Sequence, residues 1–220
     1  MKRTLIALSP LLFLLSACNP SLIKAGDPLY GYVEGGEFWL AHPVTGKYLE
    51  HQNLFKAAPH IAGGSKVQVV AIERAQPEYR ITFKVEGHCK GSCVAYWRSG
   101  DDAGFKARFE GTFLSADPTA DYDEEMRQLI ASHQVSSKMD EAQVRLTLGV
   151  PDLTEETEDE DGNPATRWVY ERHGVDEDQN PIATPELALY WTDGALSNFE
   201  QIEDAESRPI EETKIIEPER

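Results

Sequence analysis

The sequence predicts an α+β protein of two units: a strand-rich N-terminal unit, then a helix pair packed on an antiparallel sheet. Three observations lead to this prediction. Residues 29–116 contain short segments rich in β-branched and aromatic residues, separated by Gly, Pro and Asp turns. Residues 121–151 hold two capped stretches with apolar residues at helical spacing. Residues 152–202 return to strand patterns and include an Asp-Gly hairpin signal.

The chain begins with the features of a secretory signal. Met1–Arg3 is positively charged, an apolar run follows from Leu5 to Leu15, and small residues precede Cys18. This run is too short to cross about 30 Å of hydrocarbon as a stable helix. Residues 1–17 are therefore predicted to be a signal peptide and not a membrane span.

The end of this signal, Leu15-Ser16-Ala17-Cys18, resembles the bacterial lipobox, Leu-x-x-Cys. In lipoproteins of that type the cysteine becomes the first residue and carries acyl chains, and several chains anchor durably at about 0.8 kcal/mol per CH₂ group. The resemblance implies lipidation of Cys18. Because Asn19 and not Asp follows it, the resemblance also implies sorting to the outer membrane, facing the periplasm. The alternative is an ordinary cleaved signal with a coincidental Cys18.

The N-terminal unit is predicted to be a small all-β barrel or sandwich, preceded by a tether over residues 18–28. The tether has little apolar periodicity. The segment Tyr79–Glu86 alternates apolar and polar residues, as a half-buried strand does. Five or six short strands in about 90 residues suit a barrel or sandwich. The predicted strands are Glu37–Ala41, Lys66–Glu73, Tyr79–Glu86, Cys93–Arg98 and Phe105–Leu114.

Two further cysteines, Cys89 and Cys93, lie in the stretch HCKGSC. An even number of cysteines in an oxidising compartment predicts one disulfide. Zinc binding with His88 is the alternative, but no second cysteine pair completes four ligands. We therefore expect a Cys89–Cys93 bridge that holds a hairpin end and adds modest stability.

Two helices are predicted to open the C-terminal unit, residues 117–202. The first runs from Tyr122 to about Gln134, with Asp121 or Asp123 as its cap. A short link then leads to the second helix.

The second helix carries its own start and stop signals. Asp140 is a good N-cap, and Gln143 is placed to return a hydrogen bond to its backbone N–H, as in a capping box. Gly149 is placed to adopt the left-handed conformation that closes a helix, and Pro151 cannot continue one. The core-facing positions include Ala142, Val144, Leu146 and Leu148.

Four strands are predicted to follow, so the order of elements is α-α-β-β-β-β. Turns are expected at Asp161-Gly162 and at Asp193-Gly194, the second being a strong hairpin signal. Residues 203–220 are acidic and interrupted by proline, and are predicted to be a disordered tail. The residues expected on the inner face of the sheet are Trp168, Tyr170, Leu187, Leu189, Trp191 and Leu196.

At these positions the C-terminal unit resembles the BamE-like (SmpA/OmlA) lipoprotein domain. The family pattern is a helix, Gly-Met-Thr, a Val, Leu-Gly-x-Pro, Trp-x-Tyr, an apolar strand and a hairpin with an Asp-Gly turn. The match covers about residues 121–202, and Lys138 stands where the family has Gly. The corresponding positions here are Met139-Asp140, Val144, Leu148–Pro151, Trp168–Tyr170, Leu189–Trp191 and Asp193-Gly194.

The resemblance implies both a fold and a role. The fold is a helix pair on a sheet, shared with β-lactamase-inhibitor-like proteins. The role is to bind partner lipoproteins during β-barrel assembly at the outer membrane, or to support envelope integrity. No contact residue of the family is carried over to this chain.

Charge is divided unevenly between the two units. Residues 18–116 carry 11 basic and 10 acidic residues, whereas residues 117–220 carry 8 basic and 28 acidic residues. The acidic half disfavours nucleic acid and anionic headgroups as partners. A basic protein partner and a merely solvated surface both remain open.

Candidate chemical motifs are few. Two acidic loops, Asp159–Thr166 and Asp176–Thr184, place carboxylates as a calcium site does, but neither has the Gly and Glu positions of an EF-hand. Ser21–Lys24 matches Ser-x-x-Lys, but it lies in the predicted tether and lacks the companion motifs. We expect no catalytic residue, metal or cofactor.

The expected function is protein binding in the cell envelope by a lipid-anchored protein that is not an enzyme. Tyr190 and Trp191 point to opposite faces of one strand, so Tyr190 is the candidate partner-binding residue. The alternative is a periplasmic protein inhibitor, or a lipoprotein that senses a small ligand through its strand-rich unit.

Overall fold

The computed structural model of the chain describes residues 21–34, 36–45, 60–75, 78–159, 161–175, 178, 181–203 and 205–209. The predicted signal peptide, residues 1–17, and the predicted lipidation site, Cys18, lie outside these residues. The described part of the chain confirms a mixed α+β fold with antiparallel sheets.

The described helices are α1 (Asp102–Thr112), α2 (Glu124–Ala131) and α3 (Glu141–Leu148). The described strands are β1 (Ser21–Leu22), β2 (Glu37–Leu40), β3 (Val44–Thr45), β4 (His60–Ile61), β5 (Lys66–Ala75), β6 (Glu78–Val85), β7 (Cys93–Arg98), β8 (Phe113–Leu114), β9 (Leu153–Glu158), β10 (Pro164–Val175), β11 (Pro181–Thr192), β12 (Ala195–Gln201) and β13 (Arg208–Pro209).

The first sheet is antiparallel in the order β7-β6-β5-β2-β8, and β1 also pairs with β5. The alternation predicted for β6 is confirmed, since Tyr79, Ile81 and Phe83 are fully buried. The antiparallel sheets of the described residues include a curled half-barrel. The N-terminal unit was predicted to be a small all-β barrel or sandwich. In the described residues it is an open sheet with β7 and β8 as its two edges, and the buried side chains of a helix, α1, join its core.

The helix on this sheet, α1, was predicted as a strand, so this unit is not all-β. Asp101 caps α1 by accepting a hydrogen bond of 2.8 Å from the Gly104 N–H. Phe105 and Phe109 are buried, and Phe105 stacks on Tyr79 with ring centroids 4.4 Å apart. A separation of four residues fits both a period of two and a helical period, so the apolar pattern alone did not distinguish strand from helix.

The predicted tether over residues 18–28 was also wrong from Ser21 onward. Ser21 and Leu22 form β1, paired with Arg74 and Glu73 of β5. Ile23 is then buried in the core of the first unit. Ile23 is the one buried residue in 21–28, so the segment has no periodic apolar pattern, although Ile23 holds it onto the sheet.

The second sheet has the order β12-β11-β10-β9, and β13 also pairs with β11. The predicted hairpin at Asp193-Gly194 is confirmed, with φ of 53° and 77°, as a type I′ turn requires. The helices α2 and α3 cover one face. The second core contains Ile130, Met139, Val144, Leu146, Leu148, Trp168, Tyr170, Leu189, Trp191 and Leu196.

The capping box of α3 is confirmed. The Asp140 carboxylate accepts from the Gln143 N–H at 2.8 Å, and the Gln143 side chain accepts from the Asp140 N–H at 2.9 Å. Gly149 has the expected positive φ of 90°, but its ψ of −162° lies outside the left-handed helical region. Ala142 is exposed and does not face the core as predicted, because it lies on the solvent side of α3.

The predicted disordered tail over residues 203–220 was wrong for its described part, in which Arg208–Pro209 forms β13 on β11. The Arg208 guanidinium forms an ion pair with Glu171 of β10. An isolated arginine in an acidic tail shows no local preference, so this order comes from a tertiary contact.

The two units touch at the start of β5. A Cβ atom at Gly63 would overlap the backbone carbonyl of Leu146 in α3, so only glycine allows this approach. The rings of His60 and His133 lie beside this contact, with centroids 6.1 Å apart. No helix among the described residues is long and apolar enough to span a membrane.

Candidate protein-binding face

The face of the second sheet that points away from α2 and α3 is called the outer face. Successive strand residues point to opposite sides. Since Trp168 and Trp191 face the helices, their neighbours Arg167 and Tyr190 lie on the outer face. The register pairs Arg167 with Glu155 of β9 and with Tyr190 of β11. Tyr190 lies opposite Asn198 of β12, so Glu200 is its diagonal neighbour on that strand.

These side chains form a polar row across the sheet. Arg167 Nη1 donates to Glu155 Oε2 at 2.9 Å. The Arg167 guanidinium lies 5.9 Å from the centroid of the Tyr190 ring. The Tyr190 hydroxyl donates to Glu200 Oε1 at 2.6 Å. The polar row, Glu155-Arg167-Tyr190-Glu200, therefore takes one residue from each of β9, β10, β11 and β12.

The polar row determines the protonation state of the Tyr190 hydroxyl. Partial burial, followed by the hydrogen bond to Glu200, raises the pKa of Tyr190, while Arg167 opposes the shift. The hydroxyl thus stays protonated at neutral pH and keeps donating to Glu200. Because Tyr190 is partly exposed, part of its ring remains available to a partner.

Next to Tyr190 lies a concave acidic hollow of about 600 Å³. None of its lining residues is basic. Its carboxylates come from the end of β9, from the loop that follows and from β12. The lining residues are Glu158, Asp159, Asp161, Tyr190, Ser197, Asn198 and Glu200.

The loop beside this hollow is the first of the two acidic loops considered for calcium. The Asp159 carboxylate accepts hydrogen bonds from the backbone N–H groups of Asp161 at 3.0 Å and Asn163 at 2.8 Å. The bond from the Asn163 N–H, followed by that from its side chain, lowers the pKa of Asp159. The Asp159 carboxylate therefore already accepts the hydrogen bonds of its own turn. The second loop follows the other end of β10, and its residues 176, 177, 179 and 180 lie outside the described residues.

A second charged cluster joins Asp152, which precedes β9, to Glu171 and His173 of β10, with ligand atoms within 4.8 Å of one another. Glu171 is buried and is held by Arg208 through two hydrogen bonds, of 2.9 and 2.6 Å. Asp152 accepts from the Glu171 N–H at 2.8 Å, and its other oxygen lies 3.3 Å from His173 Nε2. The Arg208 guanidinium therefore already provides the positive charge that pairs with the Glu171 carboxylate.

The residues singled out from the sequence have different outcomes. The Cys89–Cys93 disulfide is present, and it joins a turn to the first residue of β7 as expected. Tyr190 lies on the outer face, at the edge of the acidic hollow. Cys18 lies outside the described residues.

The sequence did not single out Glu155, Arg167 or Glu200. The alternation around Trp168 was a signal that Arg167 faces outward, but which residues oppose it depends on strand register. Comparisons of this chain with family models, with curated proteins and with solved structures find no match.

Proposed function

We propose that this protein is a lipid-anchored protein of the bacterial outer membrane that faces the periplasm and binds another envelope protein through its outer face. The observation that carries the proposal is the acidic hollow, where four carboxylates and no basic side chain line one concavity. Complementary potentials steer and orient partners. The proposed occupant is therefore a basic segment of a partner protein.

The polar row supports this proposal by presenting a fixed contact surface. Tyrosine is enriched at protein interfaces because it offers apolar area and a polar tip. Tyr190 is held from one side by Arg167 and from the other by Glu200. Little side-chain freedom is left for binding to remove, which lowers the entropic cost of association.

The resemblance to the BamE-like domain supports the proposed location and role. The helix pair α2–α3 followed by β9–β12 is compatible with the fold that the resemblance implies. We propose on this basis that the partner belongs to the β-barrel assembly or envelope-integrity machinery. Binding, and not catalysis, is the proposed activity.

The lipid anchor is tested by fractionating cells that express the Cys18→Ser variant. The variant lacks the thiol that would carry acyl chains, so it is expected in the soluble periplasmic fraction. Unchanged membrane fractionation of the variant would contradict the anchor.

The binding face is tested by a pull-down from detergent-solubilised outer membranes. Asp161→Lys and Glu200→Lys each place a cation in the acidic hollow, and each is expected to weaken recovery of β-barrel assembly components by about tenfold, or 1.4 kcal/mol. Glu156→Lys is the matched control, because it makes the same charge change at an exposed residue of β9 that does not line the hollow. Equal recovery by Glu200→Lys and native protein, or no recovery by native protein, would refute the proposed site.

A further inference from the structure

The geometry points to a membrane-facing end of the first unit: the end of the first sheet where β1 begins rests on the bilayer that holds Cys18, and the sheet keeps the acidic unit away from that bilayer. This inference rests on the proposed lipid anchor. It adds a lipid-contacting surface and a fixed height for the partner-binding face.

Only a short length of chain separates the proposed lipid on Cys18 from the folded unit. Ser21 is already paired with Arg74 in the sheet, and Ile23 is 3% exposed. Three residue steps separate Cys18 from Ser21, which span at most about 11 Å when fully extended. The start of β1 is therefore held within that distance of the acylated residue, so this end of the sheet lies against the headgroups.

The ends of several strands of the first unit meet at this end of the sheet. Antiparallel pairing places the start of β1 beside the end of β5, the start of β6 and the end of β7. Ser21 pairs with Arg74, and Glu78 pairs with Arg98. The side chain of Leu22 is 48% exposed at this end. These neighbours form the membrane-facing end.

This end is internally braced. The Arg74 guanidinium donates hydrogen bonds to Asp27 Oδ2 at 2.9 Å and to Asp102 Oδ2 at 2.7 Å. The Tyr79 hydroxyl also donates to Asp102. The hydrogen bonds from Arg74 lower the pKa of both carboxylates, so the brace is charged at neutral pH. It ties the segment after β1 and the start of α1 to β5, which makes the end a rigid base.

The acidic unit contacts the first unit at the opposite end of β5. Gly63 and Gly64, just before β5, lie against Leu146 and Thr119 of the second unit. From Lys66 to Arg74 is eight residues, or about 26 Å at the usual rise of a strand. The contact with the second unit is thus about one strand length from the membrane-facing end.

This separation has an electrostatic consequence. The Debye length is about 8 Å at physiological ionic strength, so 26 Å is roughly three screening lengths. The first unit is close to neutral, with 11 basic and 10 acidic residues over 18–116, and can lie on anionic lipid. The strongly acidic unit is screened from the bilayer and stays available to a basic partner.

The test uses the native lipidated protein in phosphatidylcholine–phosphatidylglycerol vesicles that contain headgroup-dansylated lipid. Energy transfer from tryptophan to dansyl is measured. Trp97 lies next to the β6–β7 end pair at the membrane-facing end, whereas Trp191 lies in the second unit. Trp97→Phe is expected to remove most of the transfer, and the matched variant Trp191→Phe is expected to leave it unchanged. An equal or larger loss in Trp191→Phe overturns the inference.

A second measurement does not depend on either core substitution. Neutron reflectometry of the native protein on a supported bilayer is expected to show protein density continuous with the headgroups. A Gly-Ser insertion of about ten residues between Pro20 and Ser21 adds an average reach of about 18 Å and is expected to open a solvent layer. A solvent layer already present under the native protein overturns the inference. Failure of native protein to co-sediment with vesicles overturns the anchor itself, which separates the two failures.

Discussion

Arg208 reaches across β11 and holds the carboxylate of Glu171, whose side chain is only 1% exposed, with two hydrogen bonds of 2.9 and 2.6 Å. A fork of this kind satisfies both oxygens of a buried carboxylate. The hydrogen bond to Glu171 raises the pKa of Arg208 further above its already high value, so Arg208 stays charged at physiological pH. The contact ties β13 to the middle of the second sheet.

Arg208→Ala is expected to lower the free energy of unfolding by about 2 kcal/mol, less than a fully buried pair loses, because the arginine itself is half-exposed. Urea denaturation measures the change. Arg172→Ala is the matched control: Arg172 also pairs with a glutamate, but it is mostly exposed, so its loss is expected to cost less than about 1 kcal/mol. Equal losses in the two variants would contradict a special role for Arg208.

Asp140→Ala is expected to destabilise the second unit by about 1 kcal/mol, because it leaves the Gln143 N–H at the start of α3 without its cap. Asp140→Asn keeps an acceptor oxygen and is the control, with a smaller expected loss. Thermal unfolding followed by circular dichroism compares the two. A loss in the asparagine variant as large as that in the alanine variant would show that charge, and not capping, is what matters.

His133 is expected to make stability depend on pH. Burial lowers the pKa of His133 below its usual 6.5, and the neighbouring His60 adds to the shift, while the hydrogen bond with the Thr147 carbonyl opposes it. Between the lowered pKa and 6.5, His133 therefore binds a proton in the unfolded chain but not in the folded chain. Stability is expected to be fully present above about pH 7 and to fall as pH decreases through 6.5 toward the lowered pKa.

The variant that tests this pH dependence is His133→Asn, because His133 has a φ of 57°, which asparagine tolerates better than most residues. Urea midpoints between about pH 7.5 and 5.5 are expected to become flatter in this variant than in the native protein. His173→Asn is the control for a histidine outside this contact. An unchanged slope in His133→Asn would show that another group titrates.

Gly63→Ala is expected to disrupt the contact between the two units, because a methyl group would overlap the Leu146 carbonyl. Forced contacts of this kind cost about 1–3 kcal/mol. Gly111→Ala is the matched control, since a Cβ there meets open space within α1 and is expected to be neutral or stabilising. Unfolding monitored separately in the two units is expected to become less cooperative in Gly63→Ala alone.

Short-range patterns account for what was predicted correctly. The Asp140–Gln143 capping box, the Asp193-Gly194 turn and the burial of Trp168 and Tyr170 each depend on residues a few positions apart. Short-range patterns also predicted α1 wrongly as a strand, because the spacing of Phe105 and Phe109 fits both the strand period and the helix period. They gave no signal that Ile23 or Arg208 would be ordered. Those residues are ordered by partners far away in the chain.

By itself, the sequence determined the α+β class, the cysteine bridge, the limits of α3 and the acidic character of the second half. Capping, alternation, turn preference and charge are properties of short segments. Only the tertiary structure decided that Glu155, Arg167, Tyr190 and Glu200 form one row, and that the start of β1 and the acidic unit lie at opposite ends of β5. Strand register and packing between units bring distant residues together, and both depend on the whole folded core.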